Sequence, residues 1–178
     1  MNKKSVDFSE LTTERLLLRK VKKQDAEAIF FLRSDAEVNK FILRNPTKSI
    51  EEAEIFISER IKDIESNKVY YWAITQKDNP KLIGSICLWN FNKDRTFAEI
   101  GYDLHPSFQK QGIMNESMNL VLDFGFNKLQ LNTIEAFTHR ENLGSIQLLK
   151  RNQFTLEEHR IDEGFPHNII FSLDQSKH

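Results

Sequence analysis

The sequence predicts an α/β chain of the α+β kind: a mixed, mostly antiparallel central sheet of about seven strands flanked by about four helices. Three observations lead there. The turn clusters Asp78-Asn79-Pro80 and Asn92-Lys93-Asp94 separate three β-rich apolar runs, so those runs should pair antiparallel. A strand ending at Leu104 is followed by a polar turn, a helical period and a further strand, and such a crossover makes the two strands parallel. Ahead of both lie two segments with helix-start signals.

In chain order, residues 14–21 alternate with Leu16 and Leu18 on one side and make a first strand. Asp25 reads as the N-cap of a helix carrying Ala28, Ile29 and Leu32 at helical spacing. Ser49-Ile50-Glu51-Glu52 reads as a capping box, with Ala53, Ile57, Ile61 and Ile64 as one apolar stripe behind it. Strands follow at 69–75, 82–91 and 96–104, then a helix over 113–128 with Met114, Met118, Val121 and Leu122 on one face. A strand at 132–138 runs parallel to the one holding Glu99. Asn142 opens a last helix to 152, and strands at 154–161 and 168–173 close the sheet around Glu163-Gly164-Phe165-Pro166.

The 178 residues contain no linker, repeat or low-complexity tract and fit one domain over 1–178. With 39% hydrophobic and 29% charged residues the composition is that of an ordinary globular protein, and the formal net charge of -1 asks for neither nucleic acid nor a membrane as partner. The single cysteine, Cys87, lies in an apolar run and reads as a buried strand residue, not a nucleophile. Lys3 and Lys4 are not followed by an apolar leader, and no segment reaches transmembrane length, so the expectation is a reducing, cytoplasmic setting. The histidines at 105, 139, 159, 167 and 178 show no metal-ligand spacing, and no nucleophile elbow is present.

The chemistry concentrates at 97–117, read as a strand, a turn and a helix start. A helix N-terminus with unpaired N–H groups and a partial positive charge suits a phosphate, and Gly112 lets the backbone come close to it. The segment is neither a P-loop, which needs Lys and Ser/Thr after the glycine, nor a dinucleotide fingerprint, which needs three glycines. Glu99 is the candidate general base: it stands in an otherwise apolar strand and shares a face with Gly101, so desolvation would raise its pKa. Glu163, near the final turn, is a second candidate.

Gln109-Lys110-Gln111-Gly112-Ile113-Met114 resembles the pyrophosphate loop of the GNAT acyltransferase superfamily, Met114 standing where a small residue is usual. Ala98-Glu99-Ile100-Gly101-Tyr102, Asn142-Leu143-Gly144-Ser145 with the segment 150–157, and the opening Thr13-Glu14-Arg15-Leu16-Leu17-Leu18-Arg19 resemble its Rim-type branch of ribosomal-protein N-terminal acetyltransferases. The resemblance implies a GNAT fold whose central parallel strands splay, with the pantetheine arm of acetyl-CoA bonding the exposed backbone of Asp103, Leu104 and His105. It implies a cofactor loop formed by Gln109, Gln111, Gly112, Ile113, Met114 and Asn115, and a pantetheine contact from Asn142. It gives Ser145 the role of protonating the departing thiolate, because Leu149 occupies the place where many relatives carry a tyrosine. It also implies that residues 41–48 border the acceptor.

The expected reaction is direct transfer of acetyl from acetyl-CoA to a primary amine, without a metal. The N-terminal α-amine of a ribosomal or other protein is the foremost acceptor, since an α-amine near pKa 7.7–8.0 is far easier to deprotonate than a lysine near 10.4. A small amine, such as a polyamine, amino sugar or antibiotic, is the alternative, and a non-catalytic acyl-CoA-binding module the third. Monomer and homodimer are both compatible with the sequence. Oxyanion stabilisation is expected from a backbone N–H of 100–103 where that strand bulges, and Asn152 is expected to take a left-handed conformation in place of the family glycine, since Gln153 occupies that glycine's position.

Overall fold

A computed structural model of the chain describes residues 6–178; Lys3 and Lys4 lie outside the described residues. The elements are β1 (Leu11–Thr12), β2 (Leu16–Lys20), α1 (Ala26–Ser34), α2 (Ile50–Glu65), β3 (Tyr70–Gln76), β4 (Asn79–Trp89), β5 (Phe97–Leu104), α3 (Ile113–Asp123), β6 (Thr133–His139), α4 (Leu143–Arg151), β7 (Thr155–Leu156) and β8 (Asn168–Asp174). They form one eight-stranded sheet in the order β1-β2-β3-β4-β5-β6-β8-β7. Two of the eight strands, at the sheet edges, are only two residues long.

All neighbours are antiparallel except β5 and β6, whose parallel ladder holds only from Phe97↔Thr133 to Glu99↔Glu135. Beyond Glu99 the two strands part, and the β6-facing backbone of β5 has no strand partner. This is the splay that the resemblance implies. Alternation along β5 sends Ala98, Ile100 and Leu104 into the larger core, with Met118 and Val121 of α3 and Leu149 of α4. Glu99, Gly101 and Asp103 face the other side of the sheet, where Ile29, Leu32, Ala53 and Ile57 of α1 and α2 pack on Tyr71 and Ala73. Each fully buried Ile or Leu there contributes about 1.5–3 kcal/mol.

Several expectations are corrected in detail. The turn after β3 is Lys77-Asp78, since Gln76 pairs with Asn79; Pro80 sits at the start of β4, where a missing N–H is tolerated. Asp25 occupies the N-cap position of α1 but does not cap it; its carboxylate accepts two bonds from Arg19, at 2.7 and 2.9 Å, and one from the Lys22 N–H. Ser49 accepts from the Glu52 N–H as expected, while Glu52 reaches back to Lys48, one residue beyond the box. The helix expected over 113–128 is α-helical to Asp123 and ends in a π turn over Phe124–Lys128, with Gly125 tight against Ile134. The strand expected over 154–161 stops at Leu156, because Arg160 turns back to Glu157 and reaches across to Glu135. Gln153 itself takes the left-handed conformation, at φ 64°, and Asn152 stays at φ -90° as the C-cap, its amide bonded to the Leu148 carbonyl. Residues 100–103 show no bulge, the register from Gly84↔Leu104 to Trp89↔Glu99 being unbroken.

Candidate active site

The gap between β5 and β6 opens into a cleft of about 980 Å³ that runs from the α3 N-terminus across β5 to the α1–α2 side of the sheet. It brings together Glu99, Asp103, Leu104, Gln109, Gly112, Ile113, Met114, Asn115, Asn142 and Ser145; His105 and Gln111 stand outside it. The His105 ring stacks on Phe31 at 4.4 Å and the His105 backbone N–H donates to the Ile83 carbonyl, so this part of the backbone segment expected to meet pantetheine is already engaged. The Leu104 carbonyl accepts from Gln109.

The anion cradle is built locally. Pro106–Phe108 makes a single 3₁₀ turn, Lys110 and Gly112 take positive φ (59° and 75°), and Gly112 sits at the N-cap of α3. A β-carbon on Gly112 would meet only Arg15 Nη2, at 3.5 Å, so space permits a side chain but the left-handed backbone does not favour one. The loop is braced from far away in sequence. Arg15 donates to the Gln111 carbonyl at 2.9 Å and pairs with Glu116 at 2.8 Å, and Thr13 also donates to Glu116. Partial burial opposes ionisation of Glu116, but these bonds outweigh it and hold the carboxyl below its ordinary pKa. The Glu116 N–H already bonds the Gly112 carbonyl, and the N–H groups ahead of it, from Gly112 to Asn115, precede the first intrahelical bond, so the residues present fit the diphosphate of a coenzyme A thioester.

Glu99 and Ser145 lie on opposite sides of the strand plane. Glu99 is half-buried, and its carboxylate accepts from Asn90. Burial raises its pKa; the Asn90 bond opposes this, and the charges of Glu135 and Asp162 add to it. Glu135, its neighbour across the parallel ladder, is itself neutralised by Arg160. On the other face Ser145 is bonded to Tyr102, hydroxyl to phenol, at 2.7 Å. Burial pushes the phenol up to about 12, so it stays protonated. Asn142 caps α4 by accepting from the Ser145 N–H, which leaves its NH₂ end for the cleft. Glu163 is exposed in its turn and does not line the cleft. Burial pushes the Cys87 thiol up to about 12, which makes it inert as a nucleophile. Among the described residues no group of three His, Cys, Asp or Glu side chains could hold a metal, and no helix is long and apolar enough to cross a membrane.

Tyr102, Arg15 and a cluster of arginines on the acceptor side went unread in the sequence. Tyr102 could have been found by alternation, which places it on the same face as Ile100 and Leu104, towards α4. Arg33, Arg44 and Arg60 all line the α1–α2 end of the cleft. Arg44 donates to Asp103 at 3.2 Å and to the Leu32 carbonyl at 2.8 Å, fastening the 41–48 loop to β5. Ser85 donates to the other oxygen of Asp103 at 2.6 Å.

A strand pair that parts to expose backbone, a cradle at the following helix, and a carboxylate and a hydroxyl pair on either side are arranged as an acyl-CoA-dependent transfer would require. The acetyltransferase (GNAT) domain profile matches residues 15–155, and the chain belongs to that family of acetyl-CoA-dependent N-acetyltransferases. It is 32% identical over 171 residues to the uncharacterized N-acetyltransferase YoaA of Bacillus subtilis, covering 93% of this chain and 97% of that protein. Its fold is similar to that of RimL, a ribosomal L7/L12 α-N-protein acetyltransferase solved with coenzyme A, at TM-score 0.81 and 20% identity, over 96% of this chain and 100% of that one. It is also similar to spermidine N-acetyltransferase from Vibrio cholerae solved with CoA and spermine, at TM-score 0.79 and 24% identity, over 93% and 98%.

Proposed function

We propose that the protein acetylates the N-terminal α-amine of a polypeptide, such as a ribosomal protein, in a cytoplasmic setting and by direct transfer within a ternary complex. The observation that carries this reading is the charge of the acceptor wall. Three arginines line it, and its own acid, Asp103, is already held by Arg44 and Ser85. A polyamine would bring two or more positive charges to that wall with only Glu99 to meet them, whereas an α-amine needs only that one base.

In this reading Glu99 takes a proton from the amine as its nitrogen bonds to the thioester carbonyl carbon. The carbon–sulfur bond breaks, and the thiolate takes a proton from the Tyr102–Ser145 pair on the other side of β5. The cradle at Gly112 positions the cosubstrate, and Asn142 orients its pantetheine arm. The test is acetylation of peptides beginning with Ser or Ala against spermidine and an amino sugar, with product followed by mass spectrometry. Turnover of the peptides with spermidine untouched is the expected result; turnover of spermidine alone overturns the reading.

A further inference from the structure

The arginine cluster suggests more than the rejection of polycations. Arg33 stacks its guanidinium over the Phe56 ring at 4.0 Å and donates from Nε to Thr47 at 3.1 Å, and among the described residues it forms no ion pair. Burial and then the charge of Arg44 disfavour its cationic form; Tyr71 and the carboxylate of Asp103 partly offset this, and Arg60 adds to the crowding. Arg60, 5.3 Å from the other approach to Phe56, pairs with Asp63 through one terminal nitrogen, while its buried Nε has no partner. Two half-buried guanidiniums share one aromatic ring, and the acid whose charge reaches Arg33, Asp103, bonds Arg44 and Ser85 and not Arg33, so an added anion would complete the set.

The cluster is on the α1–α2 side of the sheet, opposite α3, so it belongs to the acceptor half of the cleft and not to the diphosphate cradle. Along β5, Glu99 and Asp103 are four residues apart, roughly 13 Å at strand rise. Arg60 acts electrostatically on Cys87, which pairs with Gly101 midway along that interval. An extended peptide advances about 3.3–3.6 Å per residue, so an acceptor with its amine at Glu99 would present its second or third side chain to Arg33 and Arg60.

We infer that the acceptor carries an anionic group, a carboxylate or phosphate, that docks on Arg33 and Arg60 while its amine lies at Glu99. Resting on the α-amine reading above, this makes the preferred substrate a polypeptide with Asp or Glu at its second or third position. Arginine suits the role because its planar fork binds carboxylate and phosphate in two-point fashion.

The test compares kcat/KM for Ser-starting peptides with Asp, Gly or Lys at positions two and three, and for an amino sugar with and without a phosphate. The acidic peptide is expected to exceed the neutral one by roughly tenfold or more, the scale of a hydrogen bond to a charged group. In the wild type, the same acidic peptide with its amine already acetylated should inhibit competitively against the acceptor. R33M and, separately, R60Q should shrink the acidic-to-neutral ratio. Equal turnover of all three peptides, or a preference for Lys, overturns the inference and leaves the α-amine reading intact. If no peptide reacts but the phosphorylated amino sugar outruns its parent, the α-amine reading falls and the anionic site stands. Loss of acetyl-CoA affinity in R33M, with the ratio unmoved, would assign the cluster to the cofactor and overturn the inference.

Discussion

The phenol of Tyr102 and the hydroxyl of Ser145 lie 2.7 Å apart, one carried by β5 and the other by the first turn of α4. In the proposed mechanism this pair is the proton donor, Leu149 being wholly buried in the core. Replacing Tyr102 by Phe or Ser145 by Ala is expected to lower kcat by about a hundredfold, the lower range for general acid catalysis. The double variant should lose little more than either single one, because the two hydroxyls act as a unit. Steady-state kinetics check this; full turnover in S145A removes that residue from the proton path.

Glu99 is held above the ordinary carboxylate pKa, so its basic form predominates only once pH exceeds that raised value. The acid limb of the kcat/KM profile should therefore lie above a normal glutamate pKa and disappear in E99Q. Removing the Asn90 donor, as in N90A, should move the limb further up, since that bond lowers the pKa. A raised native pKa also means that the ionised carboxylate costs stability at neutral pH, and that this cost vanishes below the unfolded-state pKa. E99Q is thus expected to be about a hundredfold slower yet slightly more stable than wild type at pH 7, with the stability difference gone in acid, as read by denaturant midpoints.

Gly112 is at φ 75° and lines the cleft where the diphosphate is proposed to sit. G112D combines about 1–2 kcal/mol of backbone strain with a negative charge in the cradle, and calorimetric titration should show acetyl-CoA binding abolished. R15M acts indirectly by freeing the Gln111 carbonyl and Glu116. It should raise the KM for acetyl-CoA about fivefold while kcat holds, because an exposed pair is worth at most about 1 kcal/mol.

Gln153 pays for a left-handed backbone that glycine adopts freely. Q153G is expected to stabilise the fold by roughly 0.5–1 kcal/mol, measurable as a shift in the urea midpoint with unchanged slope.

What could be read in the sequence was local. Glu99 follows from strand alternation, Gly112 from the turn into α3, and Asn142 and Ser145 from a helix start, because each signal is complete within a few residues. Gln153 shows the limit of such reading: the left-handed position depends on whether Asn152 or Gln153 ends α4, and the Asn152 amide, bonded to Asn115 of α3, decides it. The remaining site residues meet partners distant in sequence. Tyr102 and Ser145 are 43 residues apart, Arg44 and Asp103 are 59 apart, and Arg15 and Glu116 are 101 apart. Alternation marks the face Tyr102 occupies but not its partner, and no periodicity marks the others. The π turn after Asp123 was equally hidden, since an apolar stripe does not register one added residue.

The grip of Thr13 and Arg15 on Glu116 and Gln111 ties the start of the described sheet to the loop proposed to hold the cofactor. A ligand that binds the folded loop raises the free energy of opening it, and the segments fastened to it share that protection. The amides of β1 and β2 should accordingly exchange hydrogen more slowly when acetyl-CoA is present. The outermost strand of the sheet, where fraying ordinarily begins, then serves as a gauge of cofactor occupancy.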